Sequence, residues 1–240
     1  MTKTVEVLPD SAHLIQRALE ITLAELQLAI AQRDQFTIVL SGGSTPEPLY
    51  EAIATQDLPW EKIHVFWGDE RYVPPDHLDS NAGMARRAWL DQVPLPPENI
   101  HPMPTAPADP AVAAAEYEQH LQSFFNIDPG EFPSLDLILL GIGPDGHTAS
   151  LFPQTEALQV CDRLITVGNK DGQPRLTFTV PLINQARCVL FLVTGENKCP
   201  ALTEIFAPEA NELDYPARFV NPVGKLVWLL DQSAGKGLKA

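Results

Sequence analysis

The sequence is poor in cysteine and in basic residues, and both shortages exclude classes of protein. Its 240 residues include only three cysteines, with no C-x-x-C spacing, so neither a disulfide framework nor a cysteine zinc site is expected. Lysine and arginine total 16 against 31 acidic residues, and the net charge of −15 disfavours binding to nucleic acid or to an anionic membrane surface. We therefore interpret the cysteines as reduced packing residues.

Long hydrophobic runs and targeting patterns are also lacking. No apolar run approaches the roughly 20 residues needed to cross a bilayer. Residues 1–13 lack the basic and then apolar pattern of a signal peptide, so we expect a cytoplasmic protein. The six histidines are scattered, with no pair at helical ligand spacing, and no metal is expected.

Short apolar runs recur along the chain, and each suits a strand that is buried on both faces of a sheet. These runs are residues 36–40, 63–67, 135–140, 188–194 and 225–230. Helical patterns lie before and between them, at residues 11–32, 46–55, 80–91, 110–125 and 198–206. The alternation predicts an α/β fold with a mainly parallel sheet between helix layers. We favour a single domain over residues 1–240, although the length also allows two small domains.

One segment departs from this alternation, since residues 93–110 contain seven prolines. Proline cannot donate to a β ladder and it stiffens the chain, so the segment is predicted to be an extended connection over the surface. A domain linker is the alternative. Because apolar strands resume after it with the same character, a long loop within one domain is favoured.

The stretch SGGSTPEPLY, residues 41–50, directly follows a predicted strand. Its two glycines let the backbone approach a ligand, the next two residues add hydroxyl donors, and Pro46 suits the first turn of a helix. A helix N-terminus of this kind offers free amides to a phosphate group, although cations are also needed. An ordinary glycine-rich turn is the alternative. The candidate phosphate ligands are Gly42, Gly43, Ser44 and Thr45.

Charged residues follow other predicted strands. Asp69, Glu70 and Arg71 end a strand, and they would face the same crevice as the glycine loop because ligands bind beyond the carboxyl ends of strands in such sheets. A surface ion pair is the alternative for this trio. Arg175 and Lys198 are candidates for the cations that a phosphate needs, and solvated side chains are the alternative for both.

The stretch GIGPDGHTASLFP, residues 141–153, matches the dinucleotide fingerprint G-x-G-x-x-G and follows a predicted strand. The match is weak, because Pro144 interrupts the loop and no long regular helix precedes Pro153. Asp145 and His147 instead form a candidate orienting pair, in which the carboxylate fixes the imidazole tautomer and the other nitrogen accepts a proton. A structural or exposed histidine is the alternative.

Taken in order, SGGSTP, WGDER, GIGPDGHTASLFP, PRLTFT and VTGENK resemble the 6-phosphogluconolactonase family, and the likeness spans roughly residues 10–231. That family hydrolyses the lactone formed in the oxidative pentose phosphate pathway. The resemblance implies a three-layer αβα sandwich with a Rossmann-like sheet, without bound nucleotide, other cofactor or metal. It also implies that the partner is a small phosphosugar lactone. We expect a monomer or a small homo-oligomer, and the sequence does not choose between them. The stretch DGQPRLT, residues 171–177, departs from the family pattern, in which a lysine and further prolines precede the arginine.

Together, the residues and the resemblance suggest roles in hydrolysis of 6-phospho-D-glucono-1,5-lactone to 6-phospho-D-gluconate. His147 would take a proton from water and Asp145 would orient its ring, while Arg71 or the amides of residues 141–146 would stabilise the oxyanion. The remaining candidates would bind the substrate and its phosphate group. They are Gly42, Gly43, Ser44, Thr45, Asp69, Arg175 and Lys198.

Three other functions are alternatives. Glucosamine-6-phosphate deaminases of the same superfamily have a glutamate where this chain has Phe152 and a tyrosine where it has Arg71, so amino-sugar chemistry is disfavoured. A non-enzymatic sugar-phosphate sensor would normally need an output module, and the sequence shows no second domain. A nicotinamide dehydrogenase is disfavoured because the fingerprint fails on its flanks.

Overall fold

The computed structural model describes residues 2–238, which contain ten strands in two sheets. The strands are β1 (Thr2–Leu8), β2 (Phe36–Leu40), β3 (Ile63–Trp67), β4 (Asp69–Arg71), β5 (Ile100–His101), β6 (Leu137–Leu140), β7 (Ile165–Lys170), β8 (Gln173–Phe178), β9 (Cys188–Val193) and β10 (Lys225–Asp231). Seven of them form one sheet in the order β1-β10-β9-β6-β2-β3-β5. Every pairing in this sheet is parallel.

Six α-helices occur in the same described range. They are α1 (Ser11–Arg33), α2 (Glu47–Ala54), α3 (Asn81–Ala88), α4 (Pro110–Phe125), α5 (Val180–Asn184) and α6 (Cys199–Phe206). Side chains cap two of the N-termini, since Asp10 accepts from the amide of His13 and Ser80 accepts from that of Gly83. The helix predicted over residues 80–91 ends early, at Ala88, and a 3₁₀ turn follows it.

The central strands of the large sheet are buried on both faces. Side chains alternate between the faces of a strand, yet all residues of β2, β6 and β9 are buried. Helices therefore cover both sides, with α1 packed against β2, β9 and β10. The predicted α/β fold with its mainly parallel sheet is confirmed.

The second sheet is antiparallel, with the order β4-β8-β7, and the sequence did not predict it. We predicted that one strand ends with Asp69, Glu70 and Arg71, and this prediction was wrong. The strand β3 stops at Trp67, and these three residues form the separate strand β4. A two-residue turn joins β7 to β8, with φ of 54° at Asp171 and 82° at Gly172. Positive φ at both positions is the geometry of the tightest β-hairpins.

The proline-rich segment is largely irregular, as predicted, but it is not confined to the surface. It supplies β5, which pairs with β3, and it buries Leu95 and Met103. The hydroxyl of Tyr72 donates to the carbonyl of Pro107 at 2.6 Å. A segment held in this way is not a linker between domains.

Three histidines that are scattered in the sequence meet beside this segment. His64 Nδ1 lies 3.2 Å from His101 Nε2, and His101 Nδ1 lies 2.8 Å from His120 Nε2. Burial lowers the pKa of His101 to about 3, with a further contribution from its two neighbours. The chain of rings is therefore neutral near pH 7 and packs against Phe66 and Phe124.

Between residues 2 and 238, no helix combines the length and the apolar character that a membrane span requires.

Asp136, just before β6, links the amino-terminal ends of the strands. Its carboxylate is buried and accepts from the amide and the hydroxyl of Thr37, each at 2.9 Å, and from Arg33 at 2.7 Å. Asp136→Ala leaves these buried donors unpaired, so the free energy of unfolding should fall by about 3 kcal/mol in urea titrations.

The control for this prediction is Asp91→Ala, which removes an exposed partner of Arg86. It should lower the free energy of unfolding by less than about 1 kcal/mol. Equal losses in the two variants would contradict the importance of the Asp136 cluster.

Candidate active site

A cavity of about 370 Å³ opens beyond the carboxyl ends of β2, β6 and β9. From β2 the sheet continues to β3 and β5, whereas from β6 it continues to β9, β10 and β1. The loops that follow β2 and β6 therefore leave in opposite directions and open a crevice between them. The volume suits a small-molecule ligand.

The cavity brings together nine of the ten candidate residues from the sequence. They are Gly42, Gly43, Ser44, Thr45, Asp69, Arg71, His147, Arg175 and Lys198. The tenth, Asp145, does not line the cavity, and it contacts His147 from behind.

The Asp145–His147 pair has the geometry of an oriented base. Asp145 Oδ1 lies 2.5 Å from His147 Nδ1. Burial acts to raise the pKa of Asp145, but the hydrogen bond and charge of His147 outweigh it and lower that pKa to about 2. The ionised carboxylate can only accept, so Nδ1 carries the proton and Nε2 is left with a free lone pair.

Gly143 makes this pairing possible through a close approach. Its amide donates to the carbonyl of His147 at 2.8 Å, which folds the loop back over itself. A Cβ at this position would lie 2.1 Å from His147 Nδ1 and 2.4 Å from Asp145 Oδ1. Only glycine lets the imidazole lie against the loop backbone. In the described chain, no α-helix follows the loop before β7, so the dinucleotide fingerprint lacks its helix.

Arg71 and Arg175 lie directly opposite each other in the β4–β8 pairing. Burial lowers the pKa of Arg175, and the charge of Arg71 lowers it further. Within residues 2–238 Arg71 forms no salt bridge, so the surface ion pair considered from the sequence is not formed. Nε of each arginine is buried and has no partner in the same range. Two adjacent guanidinium groups that form no salt bridge among the described residues offer a site for an anion.

Lys198, the residue before α6, adds a third cation to the cavity lining. Burial lowers the pKa of Lys198, Asp145 raises it, and Lys170 lowers it again. The glycine loop is held close to this lysine, since Thr45 Oγ1 lies 3.1 Å from Thr194 Oγ1 at the end of β9. The start of the loop is fixed by the buried Tyr50 hydroxyl, which donates to the Ser41 carbonyl at 2.7 Å.

The two acidic residues of β4 have different surroundings. Asp69 lines the cavity, and its Oδ2 accepts from the Ser150 hydroxyl at 2.7 Å. Glu70 points to α3, where it accepts from the backbone amides of Asn81 and Ala82. Burial raises the pKa of Glu70, and these amides oppose the shift. Glu70 is thus a helix cap and does not line the cavity.

Asn81 and Ser150 support the site, and neither was a candidate from the sequence. Asn81 donates to the carbonyl of Asp69 at 2.9 Å, and a Cβ on Gly42 would lie 1.8 Å from its Oδ1. Asn81 was not among the site candidates, because nothing in the sequence reveals this close approach. Ser150, by contrast, belongs to the stretch at residues 141–153 and could have been included on that ground.

Comparisons with known proteins agree on one family. The model described as glucosamine-6-phosphate isomerases/6-phosphogluconolactonase matches residues 9–228. A 6-phosphogluconolactonase from Nostoc sp. is 67% identical over 238 residues, 99% of each chain, and one from Synechocystis sp. is 65% identical over 239 residues, 100% of each chain. The solved 6-phosphogluconolactonase from Trypanosoma cruzi has a TM-score of 0.89 at 30% identity, over 100% of this chain and 99% of that one.

Gly143→Ala should displace the imidazole, because the new methyl group would occupy the position of His147 Nδ1. The hydrogen bond to Asp145 would break and the fixed Nδ1–H tautomer would become a mixture. ¹⁵N NMR of the histidine side chains measures this directly. Gly237→Ala is the control, since a Cβ there meets only Thr203 Oγ1 at 3.7 Å. An unchanged His147 tautomer in Gly143→Ala would contradict the prediction.

Proposed function

Because the chain belongs to the glucosamine-6-phosphate isomerase/6-phosphogluconolactonase family, we propose that it hydrolyses 6-phospho-D-glucono-1,5-lactone to 6-phospho-D-gluconate. The geometry of the site supports this proposal through one observation. A single cavity of about 370 Å³ holds a histidine oriented by a carboxylate together with three cations for an anionic substrate.

His147 is the proposed general base. Its Nε2 takes a proton from a water molecule, whose oxygen forms a bond to the lactone carbonyl carbon. The tetrahedral intermediate then collapses, the bond from this carbon to the ring oxygen breaks, and His147 returns the proton to that oxygen. Asp145 keeps Nδ1 protonated and stabilises the imidazolium that forms in between. A positioned base of this kind contributes about 10² to 10⁴-fold to the rate.

Arg71 is the proposed partner of the oxyanion. Its guanidinium lines the cavity and has a buried Nε without a partner among the described residues. The alternative donors, the amides of residues 141–146, are partly occupied, since those of Gly143 and Gly146 already donate within the loop. One such donor is worth about 10² to 10³-fold in kcat.

The phosphate group is proposed to bind between Arg175, Lys198 and the loop that contains Gly42, Gly43, Ser44 and Thr45. Arg175 supplies a forked donor and Lys198 a compact charge, both of which suit a phosphate dianion. The carboxylate of Asp69 would repel phosphate, so we propose that it faces the sugar hydroxyls. Short-range contacts of this kind outweigh the net charge of −15, which salt screens beyond about 8 Å.

We also propose that residues 1–240 act as one domain in the cytoplasm. The cavity is lined by residues at and beyond the ends of β2, β6 and β9 of the large sheet and by residues of β4 and β8 of the small sheet. The three cysteines are all free thiols, which suits a reducing compartment.

The direct test generates the lactone in place with glucose-6-phosphate dehydrogenase and follows acid release with and without the protein. Faster release in the presence of the protein is the expected result. A rate equal to the spontaneous one would refute the proposed activity. Ammonia release from glucosamine 6-phosphate would instead indicate a deaminase.

Substitutions should separate the base from the phosphate ligands. His147→Ala should lower kcat and kcat/KM together by about 10² to 10⁴-fold, because it removes an interaction that acts in the transition state. Arg175→Ala and Lys198→Ala should chiefly raise KM, by about 10 to 100-fold, since each loses a charge-assisted hydrogen bond of about 1.5 to 3 kcal/mol.

Lys62→Ala is the matched control, because Lys62 pairs with Asp34 on the surface before β3. It should leave both constants unchanged. A parental kcat in His147→Ala would overturn the base assignment, and a parental KM in both cation variants would overturn the phosphate assignment.

Alkaline pH should weaken phosphate binding through Lys198. Burial favours the neutral amine and lowers the pKa of Lys198, so its charge is lost at a lower pH than that of a solvated lysine. The Kd for 6-phosphogluconate, measured by calorimetry from pH 7 to about pH 10, should therefore rise with pH. In Lys198→Arg the charge persists and the rise should disappear. Parallel curves for parent and variant would exclude Lys198 as the titrating group.

A further inference from the structure

Phe152 is buried, yet it does not belong to the hydrophobic core. Its side chain is 5% exposed. The other buried aliphatic and aromatic side chains of residues 2–238 belong to one contiguous core cluster, and Phe152 lies outside it. Groups outside that cluster therefore contribute to the cover of this ring.

The groups around Phe152 belong to the candidate active site. The centroid of its ring lies 4.5 Å from that of the His147 imidazole, with 48° between the planes. The guanidinium carbon of Arg175 lies 5.7 Å from the ring centroid, and Lys170 Nζ lies 5.8 Å from it. These separations are typical of aromatic pairs and of cation–π contacts.

The local backbone holds the ring in this place. Thr148 and Leu151 form an isolated antiparallel bridge, and the amide of Leu151 donates to the carbonyl of Thr148 at 3.0 Å. Ala149, inside this turn, has a φ of 47° in the left-handed region. The turn reverses the chain directly after His147, and Leu151 is anchored in the core with no exposed surface. Phe152 therefore returns beneath the histidine.

The second sheet brings the cations to the same ring. Arg175 lies in β8 and Lys170 ends β7, one on each side of the Asp171–Gly172 turn region. Neither side chain forms a salt bridge within residues 2–238. The face of an aromatic ring is then the group that orients them, since the ring quadrupole attracts a cation without neutralising it.

We propose that Phe152 is a positioning residue whose ring sets the separation between the His147 base and the Arg175 phosphate ligand. The inference rests on the proposed lactonase function. The two ends of a bound phosphosugar lactone must meet the base and the cation at the same time, so a rigid group that contacts both improves catalysis at each end. An aliphatic side chain fills the volume but lacks the flat face and the quadrupole.

The test replaces the ring and separates its two effects. Phe152→Leu should lower kcat about tenfold through His147 and raise KM for 6-phosphogluconolactone about threefold to tenfold through Arg175. Phe152→Tyr keeps the ring and should retain near-parental constants. Phe36→Leu is the matched control, because Phe36 is a core residue at the amino-terminal end of β2, whereas the cavity lies beyond the carboxyl end. It should lower Tm and leave kcat and KM unchanged.

Double variants test whether Phe152 acts through Arg175 and His147. In Arg175→Ala, adding Phe152→Leu should raise KM little further, and in His147→Ala it should lower kcat little further. A merely structural residue would reduce activity by the same factor in every background. Full additivity, parental kinetics of Phe152→Leu, or loss of its fold would each overturn the inference.

The parent enzyme is assayed first, and this step separates the two proposals. No lactone turnover by the parent would refute the proposed function and the inference with it. Turnover by the parent with any of the three contrary results for Phe152 would refute the inference alone.

Discussion

The parallel pairing of β2 with β6 at the centre of the large sheet is the constraint on which the site depends. The chain continues outward from these two strands in opposite directions, so the loops that follow them part and leave a crevice. The first loop supplies the glycine-rich stretch that we propose binds phosphate, and the second supplies Asp145 and His147. Gly42 and Gly143 are required because Asn81 and His147 approach their α-carbons too closely for any side chain.

Electrostatics then distinguish this crevice from the rest of an acidic molecule. Arg71 and Arg175 are paired across two strands, so two like charges lie opposite each other. This arrangement destabilises the small sheet when no ligand is bound. The small antiparallel sheet thus holds an arrangement that becomes favourable when an anion binds. In our proposal Phe152 preserves the positive charge of the crevice, because its ring orients cations without supplying a negative charge that would compete with the substrate.

The large sheet could be predicted from the sequence because runs such as residues 36–40 and 188–194 are apolar throughout, which is typical of strands buried on both faces. The small sheet could not be recognised in the same way, since β4 has three residues and β7 ends in polar ones. Asp171–Gly172 was a hairpin signal that could have revealed β7 and β8. The candidate site residues came from post-strand positions and from the family resemblance. Phe152 was considered only as the absence of a glutamate, because its contacts exist only after the chain has folded.

We propose above all that a single crevice binds the phosphate group at one end and presents the lactone carbonyl to His147 at the other. The most direct measurement is a crystal structure with 6-phosphogluconate bound. We expect its phosphate oxygens within hydrogen-bond distance of Arg175 and Lys198, and its carboxylate next to His147 Nε2 and Arg71. A phosphate group bound beside His147, or a ligand bound outside this crevice, would contradict the claim.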